Sequence, residues 1–356
     1  MILVNLSMIF DRPTGISNYA LNIAKHLSTL NPILLSSQQQ DNFSCYSIPS
    51  NMTPAEGSKG HFRRLLWTQW QLPQIYQKLN ADLIYSPIPE APLYSKARYV
   101  VMCHDLIPLR FPNLFSPLTN YFRYVVPSVL KQAEHIICNS EATAKDIHDF
   151  YGIAMSKITP ILLAYDAEHF YPRERRKTSQ PYFLYLGRHD PYKNIQGLIG
   201  AFAGLKNKQD YQLWIAGSFD ERFTPQLQQQ VLELDIQEEV KFIDYVSYEE
   251  LPQIISDAIS LVFPTFWEGF GLPALEAIAC GTPVITSNLA SLPEVVGDAA
   301  MLIDPHNQEE IASAMAEIGG DQGARSQLSN LSLERAKLFS WAKTGQATKE
   351  VLQQFI

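Results

Sequence analysis

Glu268 and Glu276 stand eight positions apart in Glu268–Gly269–Phe270–Gly271–Leu272–Pro273–Ala274–Leu275–Glu276. Two carboxylates placed on either side of a glycine loop can each grip a different part of one ligand. An ionised carboxylate accepts two hydroxyl donors at once, which suits a ribose diol or vicinal sugar hydroxyls. Between them, the N–H groups of Phe270, Gly271 and Leu272 can face an anionic phosphate, because the N-terminus of a helix attracts negative charge. A favourable acid at a helix start beside two loop glycines would leave the same pattern.

Three further groups point to the same chemistry. Gly187–Arg188–His189–Asp190–Pro191–Tyr192–Lys193–Asn194 follows an apolar run. Arg188 and Lys193 there could hold a diphosphate beside a helix N-terminus, or could simply be solvated. His104 and Asp105 follow the run Tyr99–Cys103. His104 could hydrogen-bond a sugar hydroxyl, and Asp105 could orient the imidazole or an acceptor. A capped strand end would use the same two residues. Gly15, in Thr14–Gly15–Ile16, could let backbone N–H groups approach a phosphate. No Asp-x-Asp sequence occurs, so the usual carboxylate cage for a divalent ion on a sugar diphosphate is missing. Leaving-group charge would then fall to Arg188, Lys193 and helix N-termini.

These groups need scaffolds to position them. Ile2–Phe10, Asp82–Ser86, Tyr99–Cys103 and His135–Cys138 read as strands, and Ile16, Ala20, Ile23, Leu27 and Leu30 recur at helical spacing. Ser140 is placed to cap a helix ending near Gly152. The pattern begins again after about residue 180, with strands at Tyr182–Leu186, Leu213–Ala216, Val240–Ile243 and Ser260–Phe263. Strands alternating with helices imply parallel sheets covered on both faces. Two such units are expected: residues 1–170, then 171–340, joined near the polar stretch 171–180. A final helix over 341–356 is expected to pack back on the first domain.

Size and charge fit this division. The chain has 356 residues, 46% apolar and 18% charged, ordinary for a globular protein of two domains. The net charge of −8 argues against nucleic acid as a partner. Residues 1–170 hold 13 Lys+Arg against 12 Asp+Glu, leaving 15 against 24 for the rest, so +1 and −9. Cys45, Cys103, Cys138 and Cys280 form no C-x-x-C pair and no metal-ligand spacing, which fits a reducing cytoplasm. The start of the chain lacks a signal-peptide pattern, and no apolar run reaches the length of a membrane span. The stretch 61–79, with Arg63, Arg64, Trp67 and Trp70, reads as an amphipathic helix with basic residues on its wet face, or as a weak peripheral membrane contact.

Taken together, the motifs resemble the GT-B glycosyltransferases of family 4, along nearly the whole chain. The carriers are Glu268–Glu276, the G-R-x-D-x-x-K-N element at Gly187–Asn194, Gly15, Ser291–Gly297, and Asp304–Pro305. The resemblance implies an α/β fold of two Rossmann-like domains facing across a cleft. It implies transfer of a hexose from a nucleotide sugar, with retention of configuration and without metal or cofactor. Under it, Arg188 and Lys193 stabilise the departing diphosphate and Glu276 holds the ribose. Glu268, Gly269 and the N–H groups of Phe270–Leu272 hold the donor sugar and phosphate. Gly15 closes on the diphosphate, His104 contacts the sugar, and Tyr245 and Val246 bind the base through backbone atoms. Asp105 lies on the acceptor side. The donor expected first is UDP-glucose, with GDP-mannose next, and the acceptor is a saccharide or a lipid-linked glycan in polysaccharide biosynthesis. A nucleotide-sugar epimerase or a non-catalytic nucleotide-sugar binder of similar fold is the alternative.

Overall fold

The computed structural model describes residues 1–10, 15–40, 42–113, 115–176 and 180–356. It divides into two units: Met1–Leu163 with Trp341–Ile356, and Ala164–Ser340. The first holds seven strands: β1 (Ile2–Asn5), β2 (Ile33–Ser36), β3 (Ser44–Ser47), β4 (Leu83–Ser86), β5 (Tyr99–Cys103), β6 (His135–Cys138) and β7 (Ile158–Pro160). They pair in the order β3-β2-β1-β4-β5-β6-β7, parallel throughout. The second holds six: β8 (Tyr182–Leu186), β9 (Gln212–Ala216), β10 (Val240–Ile243), β11 (Ser260–Phe263), β12 (Val284–Ser287) and β13 (Met301–Ile303). Their order is β10-β9-β8-β11-β12-β13, again parallel.

The central strands β1, β5, β8 and β11 are buried at every position. That is what a parallel sheet covered by helices on both faces demands of its sequence. In each sheet three strands run outward in one direction, and the fourth returns to the far side of the first. The chain therefore reverses between β1 and β4, and between β8 and β11. Loops leaving the carboxyl ends of such a pair diverge and open a crevice, where ligands bind in sheets of this kind.

The sequence places the junction at 170/171, but the division falls at Leu163/Ala164. The reason is local packing. The His169 ring stacks on Tyr248 at 3.8 Å between centroids, and Tyr248 donates its hydroxyl to Asp166 Oδ2 at 3.1 Å. These contacts fix residues 166–170 to the second unit. The helix Trp341–Gln353 lies in the first unit, where Thr344 Oγ1 donates to the Leu162 carbonyl at 2.8 Å. The expected strand Ile2–Phe10 ends at Asn5, whose side chain accepts from the Ser7 N–H at 3.2 Å and turns the chain. Among the described residues no helix is long and apolar enough to cross a membrane.

Candidate functional site

At the carboxyl edge between β8 and β11, two loops are tied to each other. The Tyr192 carbonyl, after β8, accepts from Phe266 N at 2.8 Å and from Thr265 Oγ1 at 3.1 Å, both after β11. Asn194 adopts a left-handed backbone, and its buried amide donates to the carbonyls of Pro264 at 3.1 Å and Pro305 at 2.7 Å. With the loops so fixed, Lys193 from one meets Glu268 from the other at 2.5 Å. Their side chains are only 12% and 10% exposed. The ammonium also lies 5.1 Å from the centre of the Tyr192 ring and 5.4 Å from that of Phe263.

Arg188 is placed differently. Its guanidinium is 73% exposed and meets Asp190 at 2.8 Å. The Tyr185 hydroxyl holds the turn below by donating to the Arg188 carbonyl at 2.8 Å. Of the two cations that flank this turn in sequence, Lys193 is thus packed inward and Arg188 faces outward. His189, between them, is buried and bonded through Nδ1 to Thr224 Oγ1 at 2.7 Å.

The loop after β11 leaves three backbone donors unused at the start of a helix. Gly271 has φ +98, a conformation that favours glycine, and the helix Leu272–Ala279 starts directly after it. The N–H groups of Phe270, Gly271 and Leu272 have no partner among the described residues. The buried Ser291 hydroxyl, within reach of the carbonyls of Glu268 and Phe270 at 2.9 Å each, pins the loop from behind. Glu276 is half-buried one turn into the helix, and its carboxyl has no hydrogen-bond partner among the described residues. Burial pushes its pKa up to about 8, because the charged form is poorly solvated there. Gly269 lies next to Glu268 in this loop.

Tyr245 and Val246 follow β10 at the same carboxyl edge of the sheet, with Tyr245 exposed. In the first unit, Gly15 is the first residue of the helix Gly15–His26, while Thr14 lies outside the described residues. His104 follows β5, and its Nε2 lies 3.0 Å from the Pro87 carbonyl. A carbonyl only accepts, so the proton sits on Nε2 and Nδ1 keeps its lone pair. Desolvation lowers the His104 pKa to about 4, so the ring is neutral. Asp105 Oδ1 accepts from the Ile107 N–H at 3.0 Å, which turns the chain into the short helix Ile107–Arg110.

The stretch 61–79 lies in the helix Gly57–Lys78 except for its last residue, Leu79, which caps the helix. Arg64 is buried, donating to both oxygens of Glu90 at 2.7 and 2.8 Å, and Trp67 is buried too. Arg64 thus departs from the wet face expected of it, because Glu90 supplies an internal counter-charge. Phe62, Arg63 and Trp70 are exposed. Sequence reasoning gave no role to Tyr185 or Ser291, and none to the Asn194 amide. Ser291 and Asn194 reach backbone carbonyls far away in sequence and Tyr185 reaches one three positions on, and residue spacing marks none of these contacts.

Residues 13–169 match the family described as Glycosyltransferase Family 4, and residues 166–334 match Glycosyl transferases group 1. The O-antigen chain mannosyltransferase RfbU of Salmonella typhimurium is 28% identical over 333 residues, covering 89% of this chain and 90% of that protein. O-antigen chain mannosyltransferase B of Escherichia coli is 32% identical over 260 residues, 68% of this chain and 67% of that one. Among solved structures, sucrose-phosphate synthase from Thermosynechococcus elongatus shares the fold with a TM-score of 0.79 at 19% identity, covering 99% and 98% of the two chains. Anabaena HepE in complex with UDP and glucose gives 0.75 at 18% identity over 99% of each. Fold and relatives together define a glycosyltransferase, an enzyme that transfers hexosyl groups. Within that class, the chain belongs to the GT-B glycosyltransferases of family 4.

Proposed function

We propose that this enzyme transfers a hexose, mannose first, from a nucleoside diphosphate sugar to a glycan or lipid-linked acceptor during polysaccharide assembly. One observation carries the donor site: three successive unpartnered N–H groups, Phe270–Leu272, lie between Glu268 and Glu276 on the loop that meets Lys193. Fixed dipoles and a cation of this kind stabilise the charge that grows on a departing diphosphate. Glu276, without a protein partner, is suited to accept the ribose hydroxyls. Lys193 and Arg188 serve the phosphates, and Glu268 serves the sugar. The resemblance adds Gly15 on the diphosphate, His104 on the sugar through Nδ1, and the backbone of Tyr245 and Val246 on the base.

The proposed step breaks the bond between sugar C1 and the phosphate oxygen and joins C1 to the acceptor oxygen. The acceptor's proton goes to the leaving phosphate. Attack on the face the diphosphate leaves gives retention, and no bound metal is required. Unaltered turnover in a chelator supports that last point, and abolished turnover ends it.

The relatives named mannosyltransferases move the favoured donor from UDP-glucose to GDP-mannose. A thermal-shift panel of UDP-, GDP- and ADP-sugars tests this, since a ligand that binds the native state raises Tm. The largest shift is expected with GDP-mannose. A larger shift with UDP-glucose returns the assignment to the first reading. Peripheral membrane contact through the helix Gly57–Lys78 would rest on Phe62, Arg63 and Trp70. Co-sedimentation with anionic vesicles, lost in a Phe62→Ser/Trp70→Ser variant, is the measurement that checks it.

A further inference from the structure

We infer that the second unit carries a cavity for a phosphate-bearing small molecule at the edge of its sheet opposite the donor loops. The cavity measures about 390 Å³ and is lined by Arg173, Arg175, Ser256, Gly281, Arg325 and Asn330, among others. That volume lies within the range of small-molecule sites.

Topology separates it from the donor site. Arg175 precedes β8, Ser256 precedes β11, and Gly281 precedes β12. The three strands are parallel, so these residues gather at their amino ends. The donor loops leave the carboxyl ends. The helix Leu272–Ala279 runs from one edge toward the other, and at 1.5 Å per residue about 13 Å separates Leu272 from Gly281.

Charge identifies the occupant. Three guanidinium groups line the cavity, and among the described residues none of its lining is Asp or Glu. Asp257, the acid whose field reaches Arg175, is already engaged. It accepts from Arg176 N at 2.8 Å, from Arg176 Nε at 2.9 Å and from Gln253 Nε2 at 2.9 Å. Arg325 is fixed by donating NH1 to the carbonyls of Ile318 at 2.6 Å and Gly319 at 2.7 Å. The Nε of Arg173 is buried with no partner among the described residues. Desolvation, and then the charge of Arg325, lower the pKa of Arg175. Cations gathered without a counter-charge repel, and a phosphate group accepting their forked donors removes that repulsion.

Calorimetric titration with inorganic phosphate and with mannose 6-phosphate tests the site. Both probes are expected to bind the wild-type enzyme. Affinity is expected to persist in Lys193→Ala, which impairs the donor edge. It should fall at least about tenfold in Arg175→Gln, the scale of one charge-assisted contact. Arg173→Gln carries the same expectation should Arg175→Gln fail to fold. Probe-free turnover of Arg175→Gln should match wild type. Tighter binding of the sugar phosphate assigns the remaining volume to the sugar, and equal binding assigns the site to the phosphate alone. Both results support the cavity. Binding lost in Lys193→Ala but kept in the arginine variants, or no binding of either probe to wild type, overturns it.

Discussion

Lys193 Nζ donates to Glu268 Oε1 at 2.5 Å, joining the loop after β8 to the loop after β11. The pair holds a cation at the crevice and supplies its counter-charge while no donor is present. Lys193→Ala is expected to lower turnover by roughly 10²–10³, as for loss of a group that stabilises transition-state charge. It also strands Glu268, and breaking a buried pair on one side costs about 3–5 kcal/mol. A Lys193→Ala/Glu268→Gln double variant should therefore regain much of the lost Tm but not the turnover. Turnover recovered along with Tm would reduce the pair to a structural role.

Arg188 lies on the exposed side of the same turn, where its side chain pairs with Asp190. Its removal leaves the Asp190 carboxylate, 15% exposed, without that cation. Arg188→Ala is expected to lower turnover by roughly 10²–10³ as well, on the same transition-state argument, with a smaller loss of Tm than Lys193→Ala because Arg188 itself is exposed. Steady-state kinetics beside a thermal melt checks the split. Full turnover in Arg188→Ala would remove it from the phosphate site.

Under the proposed role, Glu276 should make donor binding depend on pH. Its pKa is about 8 in the folded chain against an ordinary value of 4.5. Between those values the folded state holds a proton that the unfolded chain has lost. Stability from this group therefore falls as pH rises through that window. Glu276→Gln should raise Tm over wild type, by more near pH 8 than near pH 5. Ribose hydroxyls donate to the carboxylate form, so donor affinity should rise with pH up to about 8 and then level. Binding near pH 7 should release protons, seen as a buffer-dependent calorimetric enthalpy that disappears in the Gln variant. Glu276→Ala should weaken binding by about 1.5–3 kcal/mol. Absence of proton release would contradict the assignment of Glu276 to the ligand.

The Glu268–Glu276 spacing and the Lys193–Asn194 pair were legible because each is a local pattern. The loops that carry them follow strands with unmistakable apolar runs, β8 and β11. The edge strand β3, Ser44–Ser47, was not legible, since a half-exposed edge needs no apolar run and its four residues include two serines. The junction was misplaced for a related reason. Residues 164–170 show no break in composition, and their allegiance is set by a stack between His169 and Tyr248, 79 positions apart. The same holds for Ser291, whose hydroxyl reaches a loop more than twenty positions away. Long-range contacts of this kind leave no periodic trace in a sequence.

Gly217 shows how the site depends on a close backbone approach. The Gly187 N–H donates to Ala216 O and the Gly217 N–H to Ile243 O, each at 3.0 Å, so the carboxyl ends of β8, β9 and β10 are woven together. A Cβ at position 217 would sit 1.9 Å from the Gly187 carbonyl oxygen and 3.2 Å from His189 Nε2. Backbone cannot give way as a flexible side chain does. Gly217→Ala must push the Gly187–Arg188 turn off its seat, at a cost of about 2–4 kcal/mol. Donor affinity should fall with it, because Arg188 and Lys193 both leave that turn. Gly320, the last residue of the helix Gln308–Gly320, would place its Cβ in open space. Gly320→Ala should thus be neutral or stabilising by up to about 1 kcal/mol. Denaturant melts of the two variants, run beside donor titrations, separate a general intolerance of added methyl groups from this specific clash. Wild-type stability in Gly217→Ala would mean that the strand ends are not packed as tightly as the 1.9 Å approach demands.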